Sequence, residues 1–247
     1  MELVEVVDFF DSYLRVDEFK EEAVNGLQVE GEEEVEKIVF CVDASMESFV
    51  KALEVDANMI FCHHGLIWGG IRRVDGILRK RLKFLLENEL SLYSAHLPLD
   101  AHREIGNNAC LLRLIDVEPE EPFGEYKGYK IGYAGYCENE FEEILEKLEE
   151  NFENVGYLKF GRDRIEKVAA VSGRGAFAID EARKCGVDLL ITGEMEHSAY
   201  HLAKDNEVNV IFIGHYQSET LGLRKLVNLA KSELGIEAEF IDIPTGL

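Results

Sequence analysis

Positive charge is scarce in this chain: 26 Lys and Arg stand against 49 Asp and Glu, a formal net charge of −23 at pH 7 over 247 residues. That balance repels a phosphate backbone, and no run of Lys and Arg compensates for it, so nucleic acid is a poor partner. Long apolar runs are missing as well. No stretch approaches the roughly eighteen consecutive apolar residues of a membrane helix, so no membrane partner is expected. The opening residues, MELVEVVDFFDSYL, carry acids where a signal peptide needs a basic start, and a cytoplasmic location is the expectation. Paired cysteines are the third absence. Cys41, Cys62, Cys110, Cys137 and Cys185 are odd in number and form no CxxC, which argues against a disulfide framework and a zinc ribbon and leaves mostly buried, reduced thiols.

What is present is enough apolar residue, 47%, for one large core or two modest ones. The acidic excess is concentrated in residues 30–37 (EGEEEVEK) and 138–154 (ENEFEEILEKLEENFEN) and reads as solvated faces. Strand-length apolar runs alternate with helical periodicity. Residues 35–43 read as a buried strand, 46–53 as an amphipathic helix and 58–63 as the next strand. A Gly-rich loop (GLIWGG), a basic helix over 77–88 and a strand over 90–95 follow.

The second half uses the same grammar: strands at 167–172, 188–192 and 209–213, with helices at 176–185, 197–205 and 220–234. Each half is βαβαβ, which predicts an α/β protein with parallel or mostly parallel sheet. Between them, residues 118–163 open on a Pro-flanked, Gly/Tyr-rich stretch and continue into an acidic helix, a small α+β insert. The expected division is a first α/β half over 1–117, the insert over 118–163 and a second half over 164–247, the halves forming one composite domain.

The repeat extends to the residues themselves. Lys37–His64 aligns with Lys167–Glu194, so His63 and His64 fall opposite Gly193 and Glu194. The next strand of each half ends in H-x3-[DE]: His96 with Asp100, and His215 with Glu219. Ligands in open α/β sheets bind outside the carboxyl ends of strands, and folded-over halves would collect His63, His64, His96, Asp100, Glu194, His215 and Glu219 at one rim. Imidazole and carboxylate without thiolate suits zinc, manganese, iron or nickel in a catalytic type of site.

Adjacent strand residues face opposite ways, so His63 and His64 can serve one centre only if the chain leaves the strand there, as Gly65 permits. His215 and Glu219, four apart, share one side of a helical first turn if the helix starts near Tyr216. Asp100 after Pro98 is expected in a loop with its carboxylate able to bridge. His96 is placed either at a metal or in support of a ligand, and Glu194 as a proton acceptor, a supporting group or a helix N-terminal carboxylate. His102, His197 and His201 are read as ordinary hydrogen-bonded histidines, and Cys62 as facing a core.

The segments FCHHG (61–65), SAHLPLDAH (94–102) with GNN (106–108), ITGEMEHSAYHLA (191–203) and FIGHYQSETLGL (212–223) resemble the NIF-three-like family, also labelled GTP cyclohydrolase I type 2 homologs. The resemblance runs from Asn25-Gly26-Leu27-Gln28-Val29 almost to the end of the chain. It implies two divalent metal ions per subunit on His63, His64, Asp100, His215 and Glu219, and a toroidal homohexamer with the metal sites facing its cavity.

A metal pair points to hydrolysis of a small nucleotide-like, phosphorylated or heterocyclic substrate, with Glu194 taking the proton and His96 orienting. The competing reading is a non-catalytic, metal-stabilised ring scaffold or regulator. A third, nucleic acid in the ring's interior, would need a basic lining from Ile71-Arg72-Arg73 and Arg79-Lys80-Arg81.

Overall fold

A computed structural model describes residues 1–247. Its strands are β1 (Gly26–Val29), β2 (Lys37–Asp43), β3 (Met59–His64), β4 (Ser91–Ser94), β5 (Glu121–Tyr126), β6 (Tyr129–Glu140), β7 (Gly156–Leu158), β8 (Arg164–Val171), β9 (Leu189–Thr192), β10 (Asn209–Phe212) and β11 (Glu237–Phe240). Its α-helices are α1 (Leu3–Leu14), α2 (Met46–Glu54), α3 (Gly76–Glu87), α4 (Leu97–Asp100), α5 (Asn107–Leu114), α6 (Phe141–Glu149), α7 (Ile179–Lys184), α8 (Ala199–Asn206), α9 (His215–Ser218) and α10 (Thr220–Leu229). No helix is long and apolar enough to cross a membrane.

The chain forms two compact units, Met1–Leu99 with Gly222–Ile243, and Asp100–Leu221 with Pro244–Leu247. The first holds a five-stranded sheet ordered β1-β4-β3-β2-β11, the second a six-stranded sheet ordered β5-β6-β8-β9-β10-β7. Both are mixed. In the first unit β11, β2, β3 and β4 run parallel and β1 is antiparallel to β4. In the second, β8, β9 and β10 run parallel, with β6 and β7 antiparallel at either side.

The continuous apolar runs of β2 and β3 follow from burial on both sheet faces, as parallel strands require. One face of the first sheet packs Val39, Cys41, Ile60, Cys62 and Leu92 against Phe49 and Ala52 of α2 and Leu85 of α3. On the other, Phe10 of α1 meets the rings of Phe40, Phe61 and Tyr93 at centroid distances of 6.2, 5.0 and 5.7 Å. Leu3, Val6, Phe10 and Leu14 recur at helical spacing, which gives α1 one buried stripe. In the second unit Leu111 and Leu112 of α5 and Phe141, Ile144 and Leu148 of α6 join Ile165, Val168, Leu189, Ile191 and Ile211 in one core.

The expected duplication is visible in topology and register. β1 to β4 and β7 to β10 repeat one arrangement: three parallel strands in chain order, with the preceding strand added antiparallel beside the last. Ile38 pairs with Met59 and Val168 with Leu189, the same separation in each half. A side-chain clamp recurs with it. Asn58 Oδ1 accepts from the amides of Glu36 and Lys37 at 3.1 and 3.2 Å, and Asp188 Oδ2 accepts from those of Glu166 and Lys167 at 2.9 and 3.0 Å. Each clamp ties the start of one parallel strand to the start of the next.

Burial pushes the Asp188 carboxyl up, but the Arg162 guanidinium at 2.7 Å and the two backbone N–H donors outweigh it and hold the pKa below the ordinary aspartate value of 3.8. Asp188→Ala and Asn58→Ala are each expected to lower the unfolding free energy by about 1–3 kcal/mol, measured by urea titration at neutral pH, because each strands backbone donors. A depressed carboxyl stabilises above its unfolded pKa and loses that contribution as pH falls through the folded value. The wild-type advantage over Asp188→Ala that comes from ionisation should therefore be full above pH 3.8, start to fall as the unfolded chain protonates there, and vanish only below the lower pKa of the folded state.

Candidate metal centre

The first unit gathers imidazoles. β3 ends at His64, and Ala95 continues the edge of β4 by donating its N–H to Cys62 O at 3.1 Å, which sets His96 beside the end of β3. The possible ligand atoms of His63, His64 and His96 all lie within 4.8 Å of one another. The rings of His63 and His64, expected on opposite faces, have centroids 4.8 Å apart, and those of His63 and His96 are 5.0 Å apart. Beyond β3 the chain turns where Gly65 passes Gln28: a Cβ there would sit 2.3 Å from the Gln28 amide nitrogen. The same Gln28 accepts from the amides of Leu66 and Ile67 at 2.8 and 3.1 Å.

Each of the three rings is held by Nδ1. His63 Nδ1 is 3.0 Å from Ala95 O, His64 Nδ1 2.9 Å from Asp43 Oδ1, and His96 Nδ1 2.6 Å from Glu21 Oε2. A carbonyl or carboxylate oxygen can only accept, so Nδ1 carries the proton and Nε2 is the basic atom each ring offers. Glu21 is itself fixed, accepting from Asn25 Nδ2 and from the Leu97 amide. Burial raises its pKa, but the hydrogen bonds from His96, Asn25 and the Leu97 amide outweigh it and hold it below the ordinary glutamate value, so it stands as a carboxylate.

Carboxylates gather in the second unit. Asp100 does not lie in a loop. Leu97–Asp100 closes a helical turn because the Leu97 amide is capped by Glu21 and the Leu99 amide donates to His96 O at 3.0 Å, and Pro98 sits in the first turn, where its missing N–H costs nothing. Asp100 is buried, 4% exposed, and its Oδ1 accepts from Asn107 Nδ2 at 2.9 Å and Ser172 Oγ at 3.0 Å. Asn108 completes the cradle, accepting from the Ser172 amide at 2.6 Å.

Gly173, the next residue along, borders His215 and Glu219. Its φ is +58°, and a Cβ would meet Glu219 Oε1 at 2.5 Å and His215 Nε2 at 3.4 Å. Gly173 stands where the first half has Asp43, so the bare backbone makes the room that Glu219 occupies. His215 and Glu219 bracket α9, and His215 Nε2 lies 3.1 Å from Glu219 Oε2. His215 Nδ1 is 2.6 Å from Glu194 Oε1, the same Nδ1 anchoring as in the other three histidines. Glu194 also faces Arg174 Nε at 3.3 Å. The strand registers refine the motif match. Ala95 and Ile213 make equivalent bonds to Cys62 and Thr192, so His96 corresponds to Gly214, and Gly214 at φ +86° is one extra residue ahead of His215.

The three imidazoles of the first unit, and His215 with the buried carboxylates Asp100 and Glu219 in the second, are each donors of the kind that suits a divalent cation of the zinc, iron, manganese or nickel type. His102 serves its own turn, with Nδ1 accepting from the amides of Glu104 and Ile105 at 3.3 Å. Cys62 is fully buried, and burial raises its thiol well above the ordinary value. Sequence reasoning missed Glu21, Asp43, Ser172 and Gly173. Only the repeat alignment, which sets Asp43 against Gly173, could have singled out any of them.

Burial lowers the pKa of His215, but the Glu219 and Glu194 carboxylates outweigh it and raise it to about 9. The metal-free protein therefore holds an imidazolium there at neutral pH, and loading a cation at Nε2 must displace a proton. A raised histidine stabilises the fold fully below its unfolded pKa of 6.5 and loses that contribution as pH rises through about 9. Proton NMR of the metal-free protein should show one imidazole titrating near 9, and Glu219→Gln should bring it down. A normal titration of His215 in the unsubstituted chain would refute this.

The model of the Duf34/NIF3 (NGG1p interacting factor 3) family matches residues 1–246. A relative from Archaeoglobus fulgidus named GTP cyclohydrolase 1 type 2 homolog is 55% identical over 249 residues, covering 100% of both chains. The solved structure of the protein ybgI, described as of unknown function, superposes with a TM-score of 0.93 at 32% identity, covering 100% of both chains. That of a Thermus thermophilus protein does so at 0.87 and 35%, again over 100% of both. By the family match along its length and by its identity to these relatives, this chain belongs to the Duf34/NIF3 family.

Proposed function

We propose that this chain is a metal-dependent hydrolase acting on a small nucleotide-like, phosphorylated or heterocyclic substrate, with two divalent ions held by His63, His64, Asp100, His215 and Glu219. One observation carries the reading: His63, His64, His96 and His215 are oriented alike, each with Nδ1 against an oxygen acceptor, so that Nε2 is the nitrogen turned to a ligand or, in His215, to Glu219. Such anchoring fixes tautomer and ring orientation and is the arrangement around metal-ligating histidines generally. The buried carboxylates of Asp100 and Glu219 add the negative charge that a pair of cations needs nearby. Asp100 follows His96 by four residues in the chain, which favours a single centre drawing on both sets. The relatives' name, GTP cyclohydrolase 1 type 2 homolog, favours a nucleotide-like substrate.

Divalent ions at such a centre supply a nucleophile from water near neutral pH and polarise the electrophile. The chain's own residues do the rest. Glu194 holds the His215 proton at Nδ1 and orients the ring, with Arg174 facing its other oxygen. Glu21 does the same for His96, which we place as an orienting or electrophilic group. Five protein ligands shared by two ions would leave room for water and substrate, as in catalytic rather than structural sites. The chain is proposed to act in the cytoplasm as a toroidal homohexamer.

Metal analysis of purified protein should find close to two divalent ions per chain, and Glu219→Ala should lose at least one. Undiminished content in that variant would remove the dinuclear reading. Chelation should abolish hydrolysis of a nucleotide panel while circular dichroism stays unchanged; loss of fold instead would favour the scaffold reading. In sedimentation the protein should run as a large closed oligomer, and a monomer at micromolar concentration would rule the ring out.

A further inference from the structure

The loop that leaves β3 contains the only tryptophan of the chain, and it is 42% exposed. Its position is set rather than incidental. The Trp68 indole N–H donates to Gly65 O at 2.9 Å, Ala23 forms a β-bridge to Trp68, and the Gly69 amide donates to Glu22 O at 2.6 Å. With its one polar atom committed, the ring presents its faces. The indole lies edge-on to His96, centroid to centroid 5.1 Å, so it borders the imidazole cluster directly.

Immediately after it, Gly69 and Gly70 take φ of +62° and +93° and turn the chain into Ile71-Arg72-Arg73. These residues and Leu78 line a groove of about 480 Å³ with Trp68 in its wall, within the range of roughly 300–1,000 Å³ typical of small-molecule sites. Both arginines are exposed, and Arg73 is paired only loosely, its Nε 3.7 Å from Asp75. The charge there runs against the rest of the molecule. Residues 72–83 carry six of the 26 basic side chains with Asp75 as the single acid, in a chain of net charge −23.

We propose that this groove is the substrate-recognition subsite: Trp68 stacks on a planar heteroaromatic ring, and Arg72 and Arg73 take its phosphate, which selects a nucleoside monophosphate-like ligand and leaves its reacting end toward the histidines. Stacking on a ring face tolerates any base, whereas guanidinium forks match phosphate oxygens bidentately. The groove thus demands an aromatic ring and a phosphate together. As a substrate site it rests on the hydrolase reading; as a binding site it stands on these residues alone. The acidic remainder of the chain favours a small ligand over a nucleic acid strand.

The single tryptophan makes the test direct. Adenosine 5′-monophosphate should quench Trp68 fluorescence saturably in both metal-loaded and chelator-treated protein, with adenosine and ribose 5-phosphate each much weaker. Arg72→Gln with Arg73→Gln should weaken binding by roughly ten-fold or more, the cost of losing charge-assisted bonds, and added salt should weaken the unsubstituted protein likewise. Trp68→Leu, followed by equilibrium dialysis of labelled adenosine 5′-monophosphate, should also lose affinity, and thermal unfolding verifies that each variant folds. Binding with these dependences but no turnover of any nucleotide supports the groove and sinks the hydrolase. Nucleotide turnover that both variants leave unchanged overturns the groove and spares the hydrolase. A single-stranded oligonucleotide displacing the nucleotide at far lower concentration also overturns it, since the groove would then be fitted to a strand.

Discussion

The orientation of four imidazole rings by their Nδ1 atoms is the constraint from which the chemistry of this protein follows. A neutral histidine presents either nitrogen, and without a fixed acceptor its ring samples both tautomers. Ala95 O, Asp43, Glu21 and Glu194 remove that freedom for His63, His64, His96 and His215. Three of the four acceptors are carboxylates, which fix the ring as well as its tautomer. Much local architecture serves this end: α1 and β1 are joined by the segment that carries Glu21 and Asn25, and the turn of α4 is capped by Glu21 itself.

Duplication supplied the frame, and divergence at equivalent positions specialised it. The Asn58 and Asp188 clamps show that the same strand-to-strand fastening survives in both halves. At the strand ends the halves differ in kind. Where the first has Asp43 holding a histidine, the second has Gly173 giving way to Glu219. Where the first runs straight from Ala95 to His96, the second inserts Gly214 at a φ that L side chains rarely adopt. The outcome is an imidazole set in one unit and a carboxylate-rich set in the other. That is a division of labour between hard and borderline ligands.

Net negative charge and the proposed function on a phosphorylated molecule are opposed on their face. The long-range field of the chain slows the approach of anions, so recognition must rest on short-range features that screening affects less. The basic stretch over 72–83 reverses the local sign, and the proposed metal centre would do so when loaded.

Six strands, the helices between them and the parallel pairing were legible in the sequence because both faces of β2, β3, β8 and β9 are buried, and the apolar runs record that burial without knowledge of the neighbours. The histidines and acids were legible for a related reason: chemistry-bearing residues at the ends of apolar strands have few structural explanations. The tertiary structure alone decided the rest. Amphipathic periodicity says that α10 has a face to bury but not which sheet covers it, and the chain from Gly222 through β11 returns to the first unit, where β11 adds to β2. Glu21 carries no local signal, since a carboxylate in an acidic stretch looks solvated until His96, 75 positions away, is brought to 2.6 Å. Periodicity reports how each segment is buried; which distant side chains meet depends on crossovers and on backbone room such as that at Gly173, and no local pattern encodes either.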